Sequence, residues 1–346
     1  MTFIGTLCGC CGSSQPSYVS VNGHRYHIKR LLGEGGFSFV YLVESRENGL
    51  MALKKIRCPF GSIGSISPAM KEVDNYQKFK SPYIAQIIDS QVVQERDGSK
   101  TVYILLPYFS KGSLQDEINR HLLDCTQVPE LEVVRLALGV ARGLLCIHDA
   151  APADESDVTY SIVSAPYAED SSLLNDLELD TFGESHQAYA HHDIKPSNIM
   201  ISSEGMPVIS DLGSCSRACV EINSRQALLQ FQEWRSEHCT LTFMAPEILD
   251  VKLNSVITEK CDVWSFGCTI YTMCFGISPF EREEQISGAS VTYSLTTGKY
   301  SIPSGTNYSS GLIDVVKKCL NVDPDGRPSV DELISLLMDL QSQLVS

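Results

Sequence analysis

Four side chains able to do chemistry lie close together in YAHHDIKPSNIM, residues 189–200, and PVISDLGS, residues 207–214: Asp193, Lys195, Asn198 and Asp211. Transfer of a phosphoryl group from a metal-bound nucleotide requires such a set. One acid must orient the attacking hydroxyl, a cation must neutralise the moving phosphoryl group, and a second acid with an amide must hold Mg²⁺ against the phosphates. Asp193 fits the first role, Lys195 the second, and Asn198 with Asp211 the third. Any one of these alone could be a helix cap or a turn residue, so the chemistry rests on the set and its order.

Such a set works only if other elements position it. From Tyr26, HIKRLLGEGGFSFVYLVES alternates apolar and polar residues around a Gly-rich turn and reads as two strands. Gly33 and Gly35 in that turn allow backbone N–H groups to approach phosphate oxygens. MALKK, residues 51–55, continues as a third strand carrying Lys54, which taken alone reads as a solvated strand lysine. CPFGSIGSISP is loop-like, and residues 69–80 read as a helix carrying Glu72. YILLPYFSKGSL, residues 103–114, reads as a buried strand running into a connection, and residues 129–148 have helical periodicity. Within INSRQALLQFQEWRSEH, Asn223 or Ser224 can cap a helix whose stripe is Ala227, Leu228, Phe231 and Trp234. CDVWSFG opens an almost wholly apolar helix at Asp262. A capping box at Ser329–Glu332 precedes a Leu333, Leu336, Leu337, Leu340 stripe, after which no second folded domain is expected.

The chain has 346 residues, 43% hydrophobic and 20% charged, enough to bury a large core in one domain or two lobes. Its formal charge of −15 argues against nucleic acid as a partner, which would need clustered Lys and Arg. Ten acids and no Lys or Arg fall in residues 149–187, an acidic insertion at about 149–188 that supplies most of this charge and has the composition of a solvated loop or a docking site for a basic partner. No apolar run reaches the length of a membrane span and no secretory signal is visible, so an intracellular protein is expected. The thirteen cysteines are odd in number and mostly sit in apolar periodic segments, as reduced core thiols do. Cys8, Cys10 and Cys11 differ: they lie in an uncharged Gly/Ser-rich leader, residues 1–23, and are candidates for S-palmitoylation, whereas Thr2 excludes N-myristoylation.

The D-x-K-P-x-N and D-x-G segments resemble the catalytic and metal-binding loops of protein kinases, in the serine/threonine rather than the tyrosine form. GEGGFSFV, DLGS, SRQALLQFQEW and CTLTFMAPE are similar to the Numb-associated kinases, most of all to the branch that animals carry as a myristoylated and palmitoylated serine/threonine kinase, over residues 24–343. The resemblance implies an α+β, two-lobed protein kinase fold: an N-lobe of antiparallel sheet plus one helix at about 24–106, a hinge at 107–110 and a mainly helical C-lobe at 111–343. It implies ATP, with Mg²⁺ or alternatively Mn²⁺, and protein substrates bearing Ser or Thr.

ATP would be bound by Gly33, Glu34, Gly35, Gly36, Phe37 and Ser38 over the phosphates, with Ser38 where a third glycine often sits. Val40 and Ala52 would enclose the adenine, Leu106 would guard its rear, and the backbone of Pro107, Tyr108 and Phe109 would bond its edge, with Phe109 as donor because Pro107 lacks an N–H. Lys54, paired with Glu72, would hold the α- and β-phosphates. Structural or regulatory positions fall at His191, His192, Gly213 and Thr240, at Asp262 binding the catalytic-loop backbone, and at Arg327 pairing with Glu247 of the Ala-Pro-Glu sequence. His192 stands where many kinases have the arginine that receives an activation-segment phosphate. As a weaker, pH-dependent receiver it predicts an enzyme that needs no such phosphate. The resemblance further implies a constitutively active enzyme, able to autophosphorylate, on Golgi, endolysosomal or vacuolar membranes with a cytosolic pool, acting in secretory or vacuolar trafficking. The rival reading is a nucleotide-binding scaffold without transfer, which loss of Lys54, Asp193 or Asp211 would mark; all three are present.

Overall fold

The computed structural model describes residues 18–36, 38–47, 49–58, 66–150 and 188–345. Cys8, Cys10, Cys11, Phe37 and residues 151–187 of the acidic insertion lie outside the described residues. The chain divides into two compact units: residues 18–58 with 88–108, and residues 66–87 with 109–345.

The first unit is a six-stranded antiparallel sheet of β1 (Tyr18–Val21), β2 (His24–Glu34), β3 (Ser38–Ser45), β4 (Gly49–Cys58), β5 (Asp89–Gln94) and β6 (Lys100–Pro107), in the order β1-β2-β3-β4-β6-β5. Directly opposed residues share a face of a sheet. The register sets Tyr41 against Leu53 and Leu53 against Leu105, so that face carries the unit's core, which Val21, Tyr26, Val43, Met51 and Tyr103 complete. On the other face Val40 lies against Lys54, and Leu42 against Ala52 and then Leu106. The sheet begins earlier than the sequence reading places it, since β1 lies inside the expected leader. Asn22 and Gly23 supply the reason: both have positive φ, 46° and 83°, as a tight hairpin turn requires. The Asn22 amide also donates to Asp89 Oδ1 at 2.7 Å and to the Ser90 carbonyl at 3.0 Å, fastening the first hairpin to β5.

The second unit is mainly helical. Its helices are α1 (Ser67–Lys78), α2 (Leu114–Leu123), α3 (Glu130–His148), α4 (Arg225–His238), α5 (Pro246–Leu249), α6 (Lys260–Phe275), α7 (Pro279–Ser287), α8 (Val291–Thr297), α9 (Ser310–Cys319) and α10 (Val330–Val345). Short pairs, β7 (Tyr189–Ala190) with β10 (Ser216–Arg217), β8 (Ile199–Ile201) with β9 (Pro207–Ile209), and β11 (Val220–Ile222) with β12 (Ser255–Ile257), shape its loops. Every residue of α6 from Cys261 to Cys274 is buried, as expected of a helix apolar on all sides. α3 packs against both α6 and α10. Gly139 and Gly143 let it close on β9: a Cβ there would lie 2.4 Å from Pro207 and 2.7 Å from Ile209. Ser224 caps α4 through Ala227 N–H, and the box at Ser329 and Glu332 opens α10, both as the sequence indicates.

By its contacts helix α1 groups with the second unit. Its Asn75 donates to the carbonyls of Leu212 and Cys215, each at 2.9 Å, and the Tyr76 hydroxyl accepts the Asp211 N–H at 2.9 Å. The cysteines among the described residues are all free, and Cys58, Cys215, Cys261, Cys268, Cys274 and Cys319 are buried.

Candidate active site

The catalytic segment of the second unit is built by two devices. The first is the β8–β9 hairpin, where Ile199 pairs with Ile209, so Asn198 stands opposite Ser210 and one residue from Asp211. Ser210 ties the pair through its N–H and hydroxyl, both donated to the Asn198 carbonyl at 2.8 and 3.0 Å. The second is the buried carboxylate of Asp262 at the start of α6. It accepts the backbone N–H of His191 at 2.7 Å and of His192 at 2.8 Å, together with His148 Nε2 at 3.0 Å. Burial alone would raise the Asp262 pKa, but the hydrogen bond and charge of His148, together with His192 and His191, hold the group below the ordinary carboxylate value.

Asp193 lies between these devices, and its carboxylate is held in place from both oxygens. Oδ1 accepts the Thr240 N–H at 3.0 Å and the Thr240 hydroxyl at 2.6 Å; Oδ2 accepts Lys195 Nζ at 2.6 Å and Asn198 Nδ2 at 3.0 Å. Lys195 also donates to Thr240 Oγ1 at 2.7 Å, so acid, lysine and threonine close a ring. The carboxylate is only 12% exposed, and four donors hold it as an acceptor at a fixed place.

Asp211 has a left-handed backbone, φ 59° and ψ 67°, as does His192 at φ 64°. Each costs about 1–3 kcal/mol for a side chain with a Cβ, and such residues concentrate at functional sites. Gly213 completes the turn, and a Cβ there would lie 3.2 Å from the buried Glu72 carboxylate and 3.6 Å from Asp211. The structure thus brings Glu72, Asp211 and Gly213 together, and separately Asp193, Lys195, Asn198 and Thr240. The Asn198 amide turns its NH₂ to Asp193, which leaves its oxygen as the remaining acceptor. That oxygen and the Asp211 carboxylate are hard donors of the kind Mg²⁺ takes alongside phosphate oxygens, so the residues present fit a divalent ion.

In the first unit, Val40, Ala52, Lys54 and Leu106 share the sheet face opposite the unit's core. Gly33 pairs with Val40 and Glu34 with Phe39 at the end of β2. Gly35 N–H bonds the Ser38 carbonyl at 2.8 Å and closes the turn, in which Glu34, Gly35 and Gly36 are exposed. Pro107 ends β6, Tyr108 is the last residue of the first unit, and Phe109 begins the second stretch of the other.

The expected roles of Glu247 and Arg327 have a clear geometric basis. Arg327, with a fully buried side chain, donates from two nitrogens to the Glu247 carboxylate at 2.6 and 2.8 Å, and also to the carbonyls of Asn321 and Lys260. His192 needs correction. It is buried, and burial pushes its pKa down to about 4 against the opposing charge of Asp262, with His191, Lys71 and His148 lowering it further. A neutral, enclosed imidazole cannot act as the pH-dependent receiver of a phosphate. Sequence reasoning missed His148, Asn75 and Tyr76. A polar residue one turn after Glu72 was the available sign for Asn75, whereas His148 bonds Asp262 from 114 residues away.

Comparison with known proteins agrees with this geometry. Residues 26–152 and 185–336 match the protein kinase domain family. The chain is 52% identical to serine/threonine-protein kinase ENV7 of Saccharomyces cerevisiae, over 97% of both chains. It is 38% identical to serine/threonine-protein kinase ppk13 of Schizosaccharomyces pombe, over 93% of this chain and 92% of that one. It is 33% identical to human serine/threonine-protein kinase 16, over 97% of this chain and 95% of the other. With the catalytic set in place and the family matched over both units, the chain belongs to the protein kinase family, as a serine/threonine protein kinase.

Proposed function

We propose that this kinase uses Asp193 to accept the proton of a substrate serine or threonine, Lys195 to neutralise the transferring phosphoryl group, and Asn198 with Asp211 to hold Mg²⁺. When bound, the ion would offset the charge of the nucleotide phosphates. The closed ring of Asp193, Lys195 and Thr240 carries this reading, because it fixes an acid and a cation within 2.6 Å of each other before any substrate arrives. A hydroxyl entering the site meets an acceptor whose position is already set, which is what proximity catalysis requires. Val40, Ala52, Lys54 and Leu106, on one sheet face, are the nucleotide-facing candidates of the first unit.

The enzyme further acts at a membrane, held by acylated Cys8, Cys10 and Cys11, on Golgi, endolysosomal or vacuolar surfaces with a cytosolic pool. It serves vesicle or vacuolar trafficking and modifies itself as well as other proteins. The spacing of three thiols in an uncharged leader supports this, since stable anchoring takes two lipid signals at about 0.8 kcal/mol per buried CH₂. Among the described residues no helix is long and apolar enough to cross a membrane, so a lipid anchor is the attachment to test.

Phosphate incorporation from labelled ATP by wild type beside Asp193→Asn tests the mechanism, with a loss of roughly 10²- to 10⁴-fold expected; wild-type turnover in the variant refutes it. Mapping the labelled sites shows whether the enzyme modifies itself. Changing Cys8, Cys10 and Cys11 together to Ser should move the protein to the soluble fraction while activity on a soluble acceptor stays; unchanged partitioning removes the anchor.

A further inference from the structure

The imidazole of His192 touches three separate parts of the second unit. Its Nε2 lies 3.0 Å from the Ser216 hydroxyl, at the start of the segment after Asp211. Its Nδ1 lies 3.6 Å from Cys261 Sγ on α6. Its ring meets Trp234 of α4 edge-on, with centroids 5.0 Å apart and planes at 83°. A neutral imidazole has one donor and one acceptor, and a hydroxyl and a thiol can each serve as either, so the ring is satisfied in both tautomers. Trp234 is itself part of a stack: Phe231 lies 5.5 Å away and tilted, and His238 lies parallel at 5.1 Å. Edge-to-face and stacked pairs each contribute about 0.5–1.5 kcal/mol beyond the area they bury.

The far side of α4 is tied down as well. Arg235 donates to the Ile248 carbonyl at 2.8 Å and to the Leu249 carbonyl, both in the short helix after Ala245. Only Cys239, whose N–H closes α4 on the Arg235 carbonyl, separates the helix from Thr240 and its bonds to Asp193.

We propose that His192 and Trp234 form an uncharged clamp that holds α4 against the catalytic segment and thereby sets Thr240 on Asp193 and Lys195, in the place where other arrangements would use a phosphate and an arginine. The clamp makes both residues positioning residues: they act on the reaction through Thr240 and touch no reacting atom. It rests on the assignment of Asp193 and Thr240 to the active site. The resting enzyme then has its activation segment in working order without modification, and the stack spreads any displacement of Trp234 to His238 and on to Thr240 within six residues.

The test uses the full chain, purified and treated with phosphatase, with casein as acceptor. Trp234→Ala should lower kcat by roughly 10- to 100-fold while KM for ATP stays within about twofold, since only the positioning of Thr240 is lost. Trp234→Phe, which keeps an aromatic face, should stay within about threefold of wild type. His192→Gln, uncharged and able to bond Ser216, should retain more activity than His192→Ala. If Trp234→Ala does not fold, as judged by stoichiometric binding of a non-hydrolysable ATP analogue, Trp234→Leu replaces it with the same expectation. Wild-type kcat in the Trp234 variant, or loss of wild-type activity on phosphatase treatment, overturns the clamp. Asp193→Asn run in parallel separates the two ideas: full activity there defeats the active-site assignment, whereas an inactive Asp193→Asn beside a fully active Trp234→Ala defeats the clamp alone.

Discussion

Removing the titratable ring of His192 should change how stability depends on pH, by an amount the structure sets. Burial holds the folded-state pKa at about 4, against an ordinary histidine value of 6.5. Between these values the unfolded chain binds a proton that the folded chain refuses. Stability therefore falls as pH drops through 6.5 and stops falling for this reason below about 4. At about 1.4 kcal/mol per pKa unit, lowering the pH from about 7 to 4.5 removes roughly 2 kcal/mol through this one group. The groups facing the ring are the Asp262 carboxylate, His191, His148 and Lys71, with the Cys261 thiol and Ser216 hydroxyl in contact.

His192→Gln abolishes this proton uptake and leaves the other groups in place, so the difference between wild type and variant isolates it. Both tryptophans of the chain, Trp234 and Trp264, lie in the second unit, and intrinsic fluorescence in urea reports on that unit. The stability of wild type relative to His192→Gln should fall by roughly 2 kcal/mol from pH 7 to 4.5, read from midpoints at constant slope. A difference that stays constant within about 0.5 kcal/mol would show that the imidazole ionises in the folded protein, and the neutral clamp would lose its physical basis.

Three further outcomes follow from the geometry. Arg327→Lys cannot reproduce the two-nitrogen grip on Glu247, and Arg327→Ala strands that carboxylate, so thermal melts should show a loss of roughly 3–5 kcal/mol for Ala and a substantial part of it for Lys. Thr240→Val removes the hydroxyl shared by Lys195 and Asp193; kcat should fall about 10- to 100-fold with KM for ATP little changed, and Thr240→Ser should recover it. Asn75→Ala takes the amide from the buried carbonyls of Leu212, which keeps the Cys215 N–H, and of Cys215, and urea titration should show a loss of about 1–3 kcal/mol.

Much of the site could be read from sequence because it is local. Asp193, Lys195 and Asn198 span six residues, and the helix caps at Ser224 and Ser329 act within three. The β1 hairpin was equally local, since Asn22-Gly23 is a hairpin signal, but the short strand before it reads as part of a leader. The character of His192 was not legible. Its type suggests a titrating group, yet its charge is fixed by burial against Trp234, 42 positions later, and Cys261, 69 positions later. A side chain's protonation depends on its surroundings, and local sequence does not contain them.

The same holds for Asp262, whose importance lies in what it offsets. His192 and Asp211 both adopt left-handed backbone at roughly 1–3 kcal/mol each, and neither is glycine. Two backbone N–H groups bonded to a buried carboxylate contribute about 1.5–3 kcal/mol apiece, enough to stabilise the His192 conformation. The Tyr76 hydroxyl, on the Asp211 N–H, and the Asn75 amide, on the next turn, do the same for Asp211. The bonds that offset this strain therefore come from α1 and α6, helices with no reacting group assigned among Asp193, Lys195, Asn198 and Asp211. Substituting Asn75 or Tyr76 in α1, or Asp262 in α6, should therefore alter catalysis through the backbone angles of Asp211 and His192, and kcat should respond before nucleotide affinity does.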